Sequence, residues 1–243
     1  MKVLLLGGTS EARALAARLY PGVDVISSLA GRVPDPALPI GEVRVGGFGG
    51  VDGMRRWLIE SAVDAVVDAT HPYAATITAH AAEVCAELGM PHLVVARPAW
   101  QPGGAIVVGS DAGAAKAVRD SGFERVFLTT GRSAVQAFKE VDAWFLIRAV
   151  TAPDPQTLPR RHELVLSRGP YHYDAEYALL VEHRVDCLVT KNSGGDMTRP
   201  KLDAAAALGV SVVMVDRPPL PDDVRTVSTV EEAVAWVSSP DRT

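Results

Sequence analysis

Short apolar, β-branched runs alternate with amphipathic, alanine-rich stretches along most of this chain, and that alternation restricts the folds open to it. Runs at 2–6, 23–28, 43–45, 65–68, 92–96 and 105–108 read as strands, and a second series follows at 125–129, 144–148, 163–166, 187–190 and 211–215. Helical spacing covers 10–19, 53–61, 74–88, 111–120, 133–140, 174–183, 200–208 and 230–237. Strands that alternate with helices assemble into parallel sheets. The runs VLLL, AVVD and VVMV show little polar alternation, as expected for strands covered by helices on both faces.

So many strands are more than one open sheet needs in 243 residues. A break falls near 109–122, and the order strand, glycine-containing loop, helix then starts again. The reading is an α/β chain of two Rossmann-like parallel-sheet domains, 1–113 and 114–243, with the active site in the cleft between them. Composition narrows the partners. A net charge of −5 argues against general nucleic-acid binding, which needs a clustered basic excess. Cys85 and Cys187 are far apart and set in apolar surroundings, which suits a reduced cytoplasmic setting. The apolar start, Val3 to Leu6, is too short for a signal peptide, and no run reaches membrane-spanning length.

The first loop is GGTSEA, Gly7 to Ala12, between the first strand and the first helix. Gly7 and Gly8 let the backbone turn sharply and approach a ligand closely. Thr9 or Ser10 can cap the helix, whose N-terminus offers N–H groups and a positive dipole end to a pyrophosphate. The G-x-G-x-x-G fingerprint is absent, so by spacing alone a phosphate cradle and a simple βα turn are equally open. The second strand shifts the balance. NAD-preferring sites end that strand in a carboxylate for the ribose hydroxyls, whereas this one ends in Ile26-Ser27-Ser28, followed by Leu29-Ala30-Gly31-Arg32. Hydroxyls and an arginine suit the 2′-phosphate of NADP.

Other loops fall at strand ends in the same way. VGGFGG places Gly46 and Gly47 where backbone could approach a bound ring, or merely turn. DATHPYA crowds Asp68, Thr70, His71, Pro72 and Tyr73 after the fourth strand, at the edge where open α/β sheets bind ligands. In the second half, TTGRS presents Thr130, Gly131 and Arg132 at an anion-friendly helix start, and Arg148 ends another strand. The stretch VTKNSGGDMTRPK carries Lys191, Asn192, Ser193 and Gly194, but not in P-loop order, so a nucleoside-triphosphate hydrolase is poorly supported. No G-x-S-x-G elbow, H-E-x-x-H pair or zinc-like spacing is present.

GGTSEA, SSLAGR, GGFGG, DATHPYA, TTGR, RGPY and TKNSGG, in that order from the first residues to about Pro219, resemble the precorrin-6A reductase family of cobalamin biosynthesis. The resemblance implies an NADPH-dependent oxidoreductase that reduces one double bond of a polycarboxylate corrin precursor, with no metal or flavin and with transient contacts to other enzymes of the pathway. It places Gly7, Gly8, Thr9, Ser10 and Glu11 at the pyrophosphate and ribose, and Ser28, Gly31 and Arg32 at the 2′-phosphate. Ala30, Gly46 and Gly47 also lie against the cofactor, with Asp68, Thr70, His71 and Pro72 near the nicotinamide. Tyr73, Thr130, Gly131, Arg132, Arg148, Lys191, Asn192, Ser193 and Gly194 would meet substrate. Tyr73, His71 and Lys191 are the candidate proton donors, beside solvent. Two other readings stand next to this one: a non-catalytic NADP(H)-sensing module, and an NADPH reductase of another small substrate. The Tyr-x-x-x-Lys spacing of short-chain dehydrogenases is absent. Metal-free and cobalt-containing macrocycles are both compatible with the motifs.

Overall fold

The computed structural model describes residues 1–31 and 37–239. Its elements run β1 (Lys2–Leu6), α1 (Ser10–Leu19), β2 (Asp24–Leu29), β3 (Glu42–Val45), α2 (Gly50–Glu60), β4 (Ala65–Asp68), α3 (Ala75–Leu88) and β5 (His92–Val95). There follow β6 (Ile106–Val108), α4 (Asp111–Asp120), β7 (Arg125–Leu128), a 3₁₀ helix (Arg132–Phe138), β8 (Trp144–Ala149), β9 (Arg161–Leu166), α5 (Tyr173–Glu182) and β10 (Cys187–Lys191). The last are α6 (Pro200–Leu208), β11 (Ser211–Val215), β12 (Arg225–Val227) and α7 (Val230–Ser238).

Two compact units result, Met1–Pro98 with Pro218–Thr243, and Ala99–Arg217. Each holds one six-stranded sheet, in the orders β12-β5-β4-β1-β2-β3 and β6-β11-β10-β7-β8-β9, and every ladder is parallel. In both, the chain winds outward from a central strand, β1 or β7, and then reverses to the other side. That reversal marks the carboxyl end of β1 and of β7 as the place for a ligand.

These units divide the chain differently from the expected boundary between 113 and 114. The sixth strand of the first sheet, β12, comes from outside its consecutive run, whereas that of the second, β6, is the strand directly preceding β7 in the chain. Ile106 of β6 pairs with Val213 of β11, so the segment expected to close the first domain belongs to the second unit. Arg225 of β12 pairs with Leu93 of β5, and α7 follows it into the first unit. The sequence expectation omitted β12 altogether, because three residues are too few for a periodic signal. Where the spacing predicts a helix at 133–140, the chain forms a 3₁₀ helix, Arg132–Phe138, behind Gly131, with no side-chain cap to start it.

The cores explain why the strands read as unbroken apolar runs. In the first unit, Val3, Leu5, Val25 and Val67 bury against Leu15, Leu19, Ala233 and Trp236 of α1 and α7. The alternate residues, Leu4, Leu6 and Val66, bury against Met54 and Leu58 of α2 and Val84 of α3. In the second, Phe127, Leu146 and Leu188 pack on Leu180, Ala204 and Ala205 of α5 and α6. A fully buried side chain of this size contributes about 1.5–3 kcal/mol, so central strands such as β1 and β4 are held by apolar side chains on both faces.

Candidate functional site

The loops singled out by sequence gather at the carboxyl edges of the two sheets. In the first unit, β1 ends at Gly7, whose N–H donates to the Ser28 carbonyl at 3.0 Å. Gly8 has φ +108, which an L side chain rarely adopts. Thr9 caps α1: its Oγ1 accepts from the Ala12 N–H at 3.1 Å and donates to the Ala69 carbonyl at 2.7 Å. The cap therefore ties the β1–α1 turn to the loop after β4, and α1 presents its N-terminus at that edge. A small recess beside the turn is lined by Gly7, Gly8, Ala12, Arg13, Ser27 and Leu29.

Glu11 is braced within this turn. Its carboxylate accepts from Ser10 Oγ at 2.8 Å and from Arg97 Nη1 at 2.7 Å. Burial pushes the Glu11 pKa up, but the Arg97 hydrogen bond and charge, the backbone and Ser10 outweigh it, so the carboxyl sits below its ordinary value. Asp68 is 1% exposed and holds the next loop, accepting from the Thr70 N–H at 2.9 Å and from Thr78 Oγ1 at 2.6 Å. Both oxygens serve the backbone and α3. His71 is exposed, and its Nδ1 accepts from the Tyr73 N–H at 3.3 Å; the two rings lie 5.6 Å apart. Pro72 between them and Thr70 before them are half-buried.

The β2–β3 edge holds a residue that the sequence reading missed. Arg44 on β3 pairs in register with Ser28. Its Nη1 donates to Ser28 Oγ at 2.7 Å and to the Gly46 carbonyl at 3.2 Å, and Nη2 donates to the Gly47 carbonyl at 3.1 Å. The guanidinium lies 3.8 Å from the Phe48 ring centroid. Burial lowers its pKa from the ordinary value, which still leaves an arginine charged at neutral pH. Ala30 and Gly31 are exposed beyond β2. Arg32 lies outside the described residues.

In the second unit, Thr130 lies just beyond β7 at 4% exposure, and its buried Oγ1 has no hydrogen-bond partner among the described residues. Gly131 turns with φ +87, and Arg132 Nη1 donates to Thr151 Oγ1 at 3.0 Å. Lys191 closes β10, and Ser193 and Gly194 follow it. Asn192 is a clamp: its side chain exchanges hydrogen bonds with the Trp100 backbone at 2.8 and 3.0 Å, and its carbonyl accepts from Arg217 Nε at 2.7 Å.

Arg148, expected to meet substrate, is 6% exposed and makes a bidentate pair with Glu176, at 2.5 and 2.9 Å. Its guanidinium also lies 3.7 Å from the Tyr171 ring centroid. Its charge is therefore matched by Glu176 in this structure. Lys201 completes this buried cluster. It is 4% exposed, donates to the Thr198 carbonyl at 3.0 Å and lies 5.1 Å from the Trp100 ring centroid. Burial, reinforced by Arg148 and opposed by Glu176, lowers its pKa to about 7. Glu176 and Trp100 carried no motif; only the fold brings them to the cluster.

A cavity of about 580 Å³ lies away from these loops, between the end of α3 and residues 221–225. His92 and Arg225, which line it, open β5 and β12, so it sits at the amino-terminal edge of the sheet. The geometry of α/β sheets favours the carboxyl edge for chemistry over this larger hollow.

Glycine turns, capped helix starts and polar loops at two parallel-sheet switch points define a two-domain Rossmann-like α/β protein. A family described as precorrin-6x reductase CbiJ/CobK matches residues 2–238. The chain is 67% identical to the precorrin-6A reductase of Mycobacterium tuberculosis, over 98% of this chain and 97% of that protein. It is 52% identical to the precorrin-6A reductase of Rhodococcus erythropolis, over 98% of each. A solved structure of CobK precorrin-6A reductase superposes with a TM-score of 0.90 at 33% identity, covering 98% of this chain and 96% of that one. The chain belongs to the precorrin-6x reductase family, and is therefore an oxidoreductase. No helix among the described residues is long and apolar enough to cross a membrane.

Proposed function

We propose that this protein catalyses the NADPH-dependent reduction of one double bond of the precorrin-6A macrocycle, giving precorrin-6B in cobalamin biosynthesis. The observation that carries the cofactor choice is the end of β2, where hydroxyls and Arg44 stand in place of a carboxylate. The donor set fits a dinucleotide. Gly7, Gly8 and the capped start of α1 offer backbone N–H groups to the pyrophosphate, and Ser10 and Glu11 lie beside them for a ribose. When bound, the nicotinamide supplies the hydride.

The chain's own residues supply position and charge. Asp68 holds the loop of Thr70, His71, Pro72 and Tyr73 rigid at the carboxyl edge, next to the strand that carries the glycine turn. Thr130, Gly131, Arg132, Lys191, Ser193 and Gly194 take the substrate's carboxylates, where charge-assisted hydrogen bonds are strong. The Oγ1 of Thr130, which has no partner among the described residues, supports that reading, because an unsatisfied buried hydroxyl is costly until a ligand meets it. His71, Tyr73 and Lys191 are the groups available to deliver the proton. Cys85 and Cys187 are free, and burial pushes both thiols up to about 12, as suits inert thiols in a cytoplasmic enzyme.

The test is an anaerobic assay with NADPH or NADH and with metal-free or cobalt-containing macrocycle, followed by the product's mass. The expected result is oxidation of NADPH in preference to NADH and a gain of two hydrogens on the metal-free macrocycle, the substrate for which both named relatives are called. Cofactor binding without any turnover would favour a sensing module, and turnover of small carbonyl compounds alone would favour a different reductase.

A further inference from the structure

Arg44 is held unusually well for a cation with no counter-ion among the described residues. Among the described residues, Arg55, Arg97 and Arg148 each pair with a carboxylate, whereas Arg44 makes no ion pair. Three of its five N–H groups bond to Ser28 Oγ and to the Gly46 and Gly47 carbonyls. The Nε–H and one Nη2–H have no partner among the described residues. Phe48 and Trp57 lie under the guanidinium, at 3.8 and 5.2 Å, so its orientation is set before any ligand arrives. The register places it beside Ser28, at the carboxyl end of β2, where dinucleotide sites engage the adenosine ribose.

We propose that Arg44 is the specificity-determining residue of the cofactor site, reading the 2′-phosphate of NADPH with the N–H groups that Ser28 and the Gly46–Gly47 carbonyls leave unused. This rests on the NADPH reading above. A fixed, unneutralised guanidinium suits a phosphate monoester, and a hydroxyl in the same place offers it no charge to meet. Gripping the two glycine carbonyls also settles the loop after β3, so Arg44 shapes the edge as well as charging it.

The test uses the whole protein and calorimetric titration with two probes, 2′,5′-ADP and 5′-AMP, which differ only by the phosphate in question. Wild type should bind 2′,5′-ADP more tightly. Arg44→Ala should weaken 2′,5′-ADP about 10- to 100-fold, the range of a charge-assisted hydrogen-bond pair, and leave 5′-AMP little changed. Arg44→Gln, which keeps a donor for the loop carbonyls but no charge, should show the same selective loss if the alanine variant fails to fold. Arg44→Lys should fall between, having the charge without the fork. If wild type does not discriminate the two probes, the NADPH reading itself is overturned. If wild type discriminates and the variants do so equally, Arg44 is not the reader, and Arg32→Ala identifies the alternative. A loss of equal size for both probes reduces Arg44 to a structural tie and overturns the proposal.

Discussion

Lys201 brings an ammonium group into a space that also holds Arg148, Glu176 and the Trp100 ring. Its folded pKa of about 7 lies below the ordinary 10.5, so between those values the unfolded chain binds more protons than the folded one. Stability owed to this group therefore rises as pH climbs through that window, and its penalty is full and constant below about 7. Replacing Lys201 by Met removes the titration. The stability advantage of the variant over wild type, followed by urea denaturation at several pH values, should be largest near and below pH 7 and shrink toward pH 10. A difference that stays constant over this range would mean that the lysine is charged in the fold. The motif reading named Arg148 but not its partner. Glu176 lies 28 positions later, and no local spacing announces that contact. Thr9, by contrast, was legible as a helix cap because its partner Ala12 is three residues away.

Elements carry a second constraint at the VGGFGG loop. A Cβ built on Gly53, in the first turn of α2, would lie 1.8 Å from the Phe48 carbonyl oxygen. That is backbone and cannot rotate away, so any side chain must displace the loop leading into the helix. Gly53→Ala should destabilise the protein by about 1–3 kcal/mol, as overpacking does, and should weaken dinucleotide binding through the shift of Gly46 to Phe48. Thermal denaturation and 2′,5′-ADP titration check the two effects, and a fully stable variant would show that the close approach is relieved without loss. The sequence placed a turn here correctly, but it began the helix at 53 where the structure begins α2 at Gly50. Glycines depress helix propensity without revealing that a carbonyl stands where a Cβ would be.

At the scale of the molecule, the second unit is one continuous segment, Ala99–Arg217, while the first is closed by chain that returns after it. Ala233, Trp236 and Val237 of α7 fill the same core as Leu15 and Leu19 of α1. A fragment spanning 99–217 should therefore unfold cooperatively by itself, whereas 1–98 alone should not, because β5 loses its neighbour β12 and that core lies open. Circular dichroism and denaturant titration of the two fragments decide it, and a cooperatively folding 1–98 would show that β12 and α7 are dispensable. The sequence by itself determined the α/β class, the glycine and polar loops at the strand ends, and the family that those loops resemble. Periodicity and turn chemistry are written in neighbouring residues, so they can be read without knowing the fold. Only the tertiary structure decided where the units divide, which strand fills the sixth place in each sheet, and that Arg44 stands beside Ser28. Those outcomes depend on strand order and register between distant segments, where the competing pairings differ in packing and not in any local pattern.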